Sequence, residues 1–160
     1  MNIRHSLETG ISFGLTSGVI TTLGVMVGLN STTHSRLAVA GGIVVIAIAD
    51  AFSDALGIHM SEEFEAKHSP LEVWLATIST LFSKIIFASI FIIPVVCLPI
   101  QTAIYVSIGV GFLILTIFSY YLALKQGISP SKTIVEHLLV ATIVVLVSHY
   151  LGNLAANIFK

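Results

Sequence analysis

Charged side chains are scarce in this chain of 160 residues, since Asp, Glu, Lys and Arg together make up 9% of it. Soluble domains usually carry about 25%. The few cations form no basic patch, which argues against a nucleic-acid partner, and the single cysteine, Cys97, excludes an internal disulfide. The chain also lacks the common metalloprotease and nucleophile motifs. We therefore expect neither an enzyme nor a resident cofactor.

Hydrophobic residues instead make up 56% of the chain and fall into five long apolar runs. A helix needs roughly 20 apolar residues to cross the hydrocarbon core of a membrane. The sequence therefore predicts an all-α, multi-pass integral membrane protein, with residues 1–160 forming a single transmembrane domain. The predicted spans are 11–29, 37–60, 73–96, 102–124 and 134–158.

Two carboxylates interrupt the second apolar run. Asp50 and Asp54 are four residues apart, which places them on one face of a helix, and Gly57 and Ser61 continue this polar stripe. An ionised side chain in the hydrocarbon region costs between about 3 and 17 kcal/mol. We therefore expect both aspartates to face a partner or a watery cavity, and we predict that they bind a divalent metal.

The second helix is also predicted to extend beyond the membrane. From residue 37 to residue 65 it would measure about 44 Å, against a hydrocarbon core of about 30 Å. At that end His59 and Glu63 are four residues apart and Glu62 and Glu65 are three apart. This spacing is typical of side chains that bind one divalent ion from a solvated helix end. An acidic helix end that binds no ion is the other interpretation. The candidate ligands are His59, Glu62, Glu63 and Glu65.

Lys84 lies about midway along the third apolar run. A buried ammonium needs a counter-charge, and the carboxylates at comparable depth are Asp50 and Asp54. Two interpretations stay open. Lys84 is either the counter-ion or coupling group of an ion site, or part of a structural Lys–Asp pair that holds helices 2 and 3 together and leaves one carboxylate unpaired.

Glycines follow the first helix at intervals of four, first as Gly10, Gly14 and Gly18 and then as Gly24 and Gly28. In lipid, small residues at this spacing allow two helices to approach closely. Such a glycine stripe is found both in helix packing within one subunit and at subunit interfaces, so both interpretations stay open. From it we predict a homodimer packed through the first helix.

Local signals mark several helix ends. The third helix is expected to begin after Ser69-Pro70, Gly127 is expected to end the fourth, and Thr133 with Glu136 matches a capping box opening the fifth. Four of the six Lys and Arg residues outside the spans fall on the side of the amino terminus, which favours a cytoplasmic amino terminus. The acidic residues outside the spans lie on the same side, where they would attract cations.

Residues 17–28, SGVITTLGVMVG, match the pattern D-G-L-V-T-T-F-G-V-V-A-G, and residues 53–61, SDALGIHMS, match S-M-A-x-G-E-Y-x-S. On these motifs the first two helices resemble the vacuolar iron transporter family. The resemblance implies a five-helix homodimer that moves ferrous or manganous ions out of the cytoplasm in exchange for protons. It also implies that helices 1 and 2 line the path, with Ser17, Thr21, Gly57 and Ser61 as pathway residues.

The chain departs from the family pattern at three positions and in one loop. Ser17 replaces an Asp, Asp54 replaces a Met, and Ile58 replaces a Glu, while the family's metal-binding insert is reduced to residues 64–71. A site rich in carboxylate oxygen suits harder ions such as manganese, magnesium or calcium.

Together these features predict a small, dimeric exporter of a divalent metal, Fe²⁺ or Mn²⁺, driven by proton exchange. Its expected partners are the lipid bilayer, divalent cations, protons and a second copy of the chain. The alternative is a membrane subunit that transports nothing and uses the Lys–Asp pair only for assembly.

Overall fold

The computed structural model describes residues 3–159, in which helices are joined by short connections and no strand occurs. All five helical spans are long and apolar enough to cross a membrane. The prediction of an all-α chain with five membrane-length helices is thereby confirmed, and each predicted span lies inside a longer helix. The spans are α1 (Ile3–Thr33), α2 (Arg36–Glu65), α3 (Pro70–Cys97), α4 (Ile100–Gln126) and α5 (Pro130–Ile158).

Capping residues set the helix ends on the side where α1 begins, which we call the amino-terminal face. The Ser69 side chain accepts from the backbone N–H of Glu72, whose carboxylate accepts from the backbone N–H of Ser69, so a capping box opens α3. Gly127 ends α4 with a left-handed φ of 67°. Both predicted ends are confirmed.

The capping box predicted at Thr133 is wrong. Helix α5 begins one turn earlier, at Pro130, which fits the first helical turn because its missing N–H would have no helical partner there. The Thr133 hydroxyl donates to the carbonyl of Ser129 instead of capping a helix.

Helix α1 is the centre of the bundle, and its glycines are used within the subunit. A Cβ on Gly14 would lie 2.5 Å from the carbonyl oxygen of Thr80 in α3, and one on Gly24 would lie 2.9 Å from Cγ1 of Val144 in α5. The interpretation as packing within one subunit is confirmed. Because α3 and α5 of the same chain occupy the stripe, these glycines are not free for a contact with a second copy, and the homodimer itself stays a prediction.

The last part of α3 is separated from the rest by a turn. A turn at Ile90 and Phe91 separates Pro70–Ser89 from Ile92–Cys97, because Pro94 has no N–H to donate to the carbonyl of Ile90. Beyond it, Arg36 at the start of α2 donates from Nη2 to the carbonyl of Leu98 at 2.9 Å. This bond ties α2 to the end of α3 on the face opposite the amino-terminal face.

The outer surface of the bundle is apolar. In their most apolar windows, 56% of the α1 residues are buried but only 22% of those in α2 and 6% of those in α5. Helix α2 exposes large hydrophobic side chains along one row and, beside it, a row that we call the small-residue face. This face consists of Gly41, Ala49, Ser53 and Gly57 with one larger side chain, Val45, among them, and a Cβ on either glycine would meet no atom within 4 Å.

The glycine packing predicts that Gly14→Ala lowers stability by about 1–3 kcal/mol, because the added methyl overpacks the contact between α1 and α3. Gly109→Ala in α4 is the matched control, since its Cβ would meet nothing within 4 Å. Thermal unfolding in detergent measures both. Equal unfolding temperatures for the two variants would contradict the close contact.

Candidate functional site

Lys84 lies near the midpoint of α3 and is fully buried, with 0% of its surface exposed. Its Nζ donates to Oδ2 of Asp50 and Oδ2 of Asp54, each at 2.5 Å, and to Oγ of Ser17 at 3.0 Å. An ammonium group has three protons to donate. The three oxygens therefore satisfy it completely, without solvent.

Three helices supply these groups, each from its middle. Ser17 comes from α1, the two aspartates from α2 and Lys84 from α3. The Ser17 hydroxyl accepts from Lys84 and lies 2.6 Å from Oδ2 of Asp54, to which it donates. Thr21 supports this arrangement one turn along α1, where its hydroxyl donates to the Ser17 carbonyl at 2.7 Å.

A π-helical turn covers Ile46–Asp50 in α2, directly beside the site. In such a turn the backbone bonds reach one residue further than in an α-helix, and π turns occur frequently at functional sites. Here the N–H of Ala51 donates to the carbonyl of Ile46. The segment contains neither Pro nor Gly, so its sequence gives no sign of the turn.

Lys84 reaches both carboxylates, so the expectation that a Lys–Asp pair would leave one of them unpaired is wrong. With all three groups ionised, two carboxylates and one ammonium give the site a formal charge of −1. The carboxylates are also the accessible part of it, with exposed fractions of 33% for the Asp50 side chain and 20% for that of Asp54. They lie next to the small-residue face, because Ala49 and Ser53 precede them in the helix and are exposed.

The four candidate ligands at the end of α2 do not converge on one point. Nε2 of His59 lies 3.5 Å from Oε1 of Glu63, while Oε2 of Glu62 lies 2.5 Å from Nδ1 of His68 in the link to α3. Glu65 is exposed. Between residues 3 and 159 no group of three His, Cys, Asp or Glu side chains could hold a metal ion.

His59, Glu63 and His68 line a cleft of about 250 Å³ at the amino-terminal face. His59 is fixed in its wall, because Nδ1 bonds the Thr77 hydroxyl at 2.9 Å and the ring packs edge-on against Trp74. The sequence analysis missed His68 because helical spacing rules do not apply to a residue beyond the helix end. The cleft combines acidic and imidazole groups where α2 meets α3.

The remaining predicted pathway residues lie apart from the centre. Gly57 and Ser61 are exposed, and a Cβ on Gly57 would meet no atom within 4 Å. Neither is bonded to the lysine or the aspartates among the described residues. The polar stripe predicted along α2 therefore splits into a partly buried centre at Asp50 and Asp54 and an exposed continuation at Gly57 and Ser61.

Comparison of the chain with protein-family models, curated proteins and solved structures found no match. The fold and the site alone therefore define its class, a bundle of five membrane-length helices around a buried lysine–carboxylate centre. The resemblance to the vacuolar iron transporter family rests on residues 17–28 and 53–61, and what it implies stays a prediction.

The bonds of Ser17 predict that Ser17→Ala lowers stability by about 1–3 kcal/mol, because a buried donor of Lys84 loses its acceptor. Ser53→Ala is the matched control, since Ser53 is exposed at similar depth in α2. The temperature of thermal unfolding is compared for the two variants. A loss no larger for Ser17→Ala than for Ser53→Ala would show that Ser17 does not support the site.

Proposed function

We propose that this chain is a proton-coupled exporter of a divalent metal and that Lys84, Asp50, Asp54 and Ser17 form its transport site. The observation that supports this is the convergence of three oxygens on one cationic nitrogen at 2.5–3.0 Å. Calcium binds oxygen ligands at about 2.3–2.6 Å, and magnesium binds them at about 2.0–2.1 Å. The ammonium of Lys84 thus stands where a dication would be held.

The donor set favours a hard or borderline ion. Carboxylate and hydroxyl oxygens suit Mn²⁺, Mg²⁺ and Ca²⁺ better than soft metals, and the resemblance to the iron transporter family favours Fe²⁺ or Mn²⁺. Manganese satisfies both arguments, so we propose Mn²⁺ as the first substrate to test and Fe²⁺ as the second.

Charge balance at the centre of the bundle provides the proton coupling. Without metal, a protonated Lys84, one ionised aspartate and one protonated aspartate sum to zero charge. With metal, a neutral lysine, two ionised aspartates and the dication also sum to zero. Both states avoid a net charge in the hydrocarbon region, where it would be costly. Binding of one dication therefore releases two protons, one from Lys84 and one from an aspartate.

Two of the three motif departures are close together in space. Ser17 stands where the family has an Asp, Asp54 stands where the family has a Met, and their oxygens are 2.6 Å apart. An acid moved from the first helix to the second would therefore still supply a carboxylate at the same centre. This proximity supports a transport role despite the altered motifs.

The acidic amino-terminal face supports entry from that side. Glu62 and Glu63 lie there with Glu65, and a surface rich in carboxylates raises the local concentration of cations. With the amino terminus in the cytoplasm, as the distribution of Lys and Arg favours, metal would enter from the cytoplasm and leave on the opposite side.

A second copy of the chain would complete the site. Two carboxylates and a hydroxyl provide fewer ligands than the six or more oxygens that these ions take. The partly exposed carboxylates lie beside the small-residue face of α2, which allows close helix contact. We propose that two copies pack through this face, cover the aspartates from lipid and bring both sites together.

The dimer proposal predicts cross-linking through Ser53→Cys in a Cys97→Ser background. Ser53 lies on the small-residue face, so two introduced thiols would meet at the proposed interface. Ile143→Cys on the exposed surface of α5 is the control at similar depth. Covalent dimers are scored on denaturing gels after oxidation in membranes. Cross-linking only from α5 would place the interface elsewhere.

The alternative function is a membrane subunit that transports nothing. It is favoured by the complete set of bonds around Lys84, which would hold α1, α2 and α3 together equally well if its proton never left. The two functions can be distinguished by replacing Lys84 with a residue whose positive charge cannot be lost.

Arginine is such a cation, and methionine removes the charge altogether. The transport proposal predicts that Lys84→Met still binds Mn²⁺, whereas Lys84→Arg loses binding because a dication would meet a fixed positive charge. Calorimetry measures binding, and thermal unfolding identifies any variant that fails to fold. Proteoliposome uptake of Mn²⁺ with a pH gradient is measured for the wild type and for Lys132→Met, an exposed-lysine control.

If the wild type neither binds nor transports Mn²⁺ or Fe²⁺, and Lys84→Met is destabilised, the structural function is supported instead. Unchanged binding in Lys84→Arg with unchanged stability would contradict the proposal that the metal replaces the ammonium.

A further inference from the structure

A second charged cluster lies at the amino-terminal face, away from the central site. Arg4 at the start of α1 donates from Nε to Oε1 of Glu8 at 2.9 Å, and Nζ of Lys125 at the end of α4 bonds to Oε2 of the same carboxylate. Two cations thus share one carboxylate. The local formal charge of these three groups is +1.

Next to this cluster, a pocket of about 530 Å³ lies between α1 and α4. The part of its wall nearest the helix ends is polar and includes Lys125, Gln126 and Tyr121. Glu8 and Thr9 of α1 also line this polar part. One or two turns further into the bundle the wall becomes mainly apolar, with Ile11, Phe118 and Leu122 beside the single hydroxyl of Ser12. The pocket is therefore polar at the water side and apolar toward the centre of the membrane.

We infer that this pocket binds an anionic phospholipid, with the phosphate at Lys125 and Arg4 and one acyl chain along Ile11 and Phe118. Basic pockets between transmembrane helices attract anionic headgroups. Glu8 itself lines the pocket and pairs with Lys125 in the same wall and with Arg4 just outside it, and the three groups together leave a net positive charge for the phosphate.

The neighbouring side chains fit a site at the membrane surface. Tyr121 is half exposed, and tyrosine is enriched at the boundary between lipid and water. Lys125 can keep its stem along apolar surface while its ammonium stays at the polar level. A free phosphate would use the charged end only and would leave the apolar wall uncovered, so the lining favours a lipid. The site is separate from the transport proposal, since it contains none of the four central residues.

Native mass spectrometry of the purified full-length protein tests this inference, with phosphatidylglycerol and phosphatidylcholine offered in equal amounts. We expect one phosphatidylglycerol retained per chain in preference to phosphatidylcholine. Lys125→Gln should lower its retention about five-fold, since a cation near an anionic lipid contributes about 1 kcal/mol. Lys132→Gln should retain it, because Lys132 lies on the same face but pairs with Glu136 outside the pocket.

Two further variants separate the lipid site from general surface charge and from misfolding. Glu8→Gln should raise phosphatidylglycerol retention, because it frees both cations from their shared carboxylate. Leu122→Trp should lower retention by filling the apolar end while every charge remains. Thermal unfolding of each variant confirms that it is folded.

Three results would overturn the inference. Equal retention of the two lipids by the wild type would exclude recognition of the phosphate charge. Equal losses in Lys125→Gln and Lys132→Gln would reduce the effect to surface potential. Displacement of the lipid by soluble glycerophosphoglycerol at equal concentration would make the ligand a free phosphate ester.

Discussion

The burial of the Lys84 ammonium is the interaction on which the rest of the bundle depends. A charge at this depth is tolerated only when it is paired and fully hydrogen-bonded, because its desolvation costs several kcal/mol. Asp50 and Asp54 supply the charge, and Ser17 supplies the third acceptor. Ser17 reaches the lysine only because α1 lies close to α3, and Gly18 permits this approach, since a Cβ there would lie 3.2 Å from the Lys84 carbonyl oxygen. The glycine stripe and the charged centre are thus parts of one arrangement.

The same arrangement can act as a fixed strut or as an exchange site, and the difference is whether the lysine loses its proton. Lysine can become neutral, whereas arginine stays charged in proteins and binds two carboxylates more rigidly. A purely structural cation would be served at least as well by arginine. A lysine in this position, beside an Asp50 side chain that is 33% exposed, supports the proposed exchange of the ammonium for an entering cation.

The sequence predicted the groups of the centre but not their geometry. The burial cost of an isolated charge was enough to bring Lys84 together with Asp50 and Asp54, and apolar length was enough to find five spans. Lys84 contacts both Asp50 and Asp54 because its side chain extends from α3 to α2. Residue spacing along one helix cannot predict such a contact between helices. Likewise, spacing within α2 suggested one ligand cluster, whereas Glu62 pairs with His68 beyond the helix end. Small-residue spacing, as on α1 and on the small-residue face of α2, indicates that a helix can pack closely there but does not identify which helix it is.

The most direct measurement of the proposed exchange is the number of protons released when Mn²⁺ binds to the detergent-solubilised wild-type protein in weakly buffered solution. If the dication replaces the Lys84 proton and one aspartate proton, as charge neutrality at the membrane centre requires, two protons should appear for each ion bound. Binding of Mn²⁺ without any proton release would contradict the account.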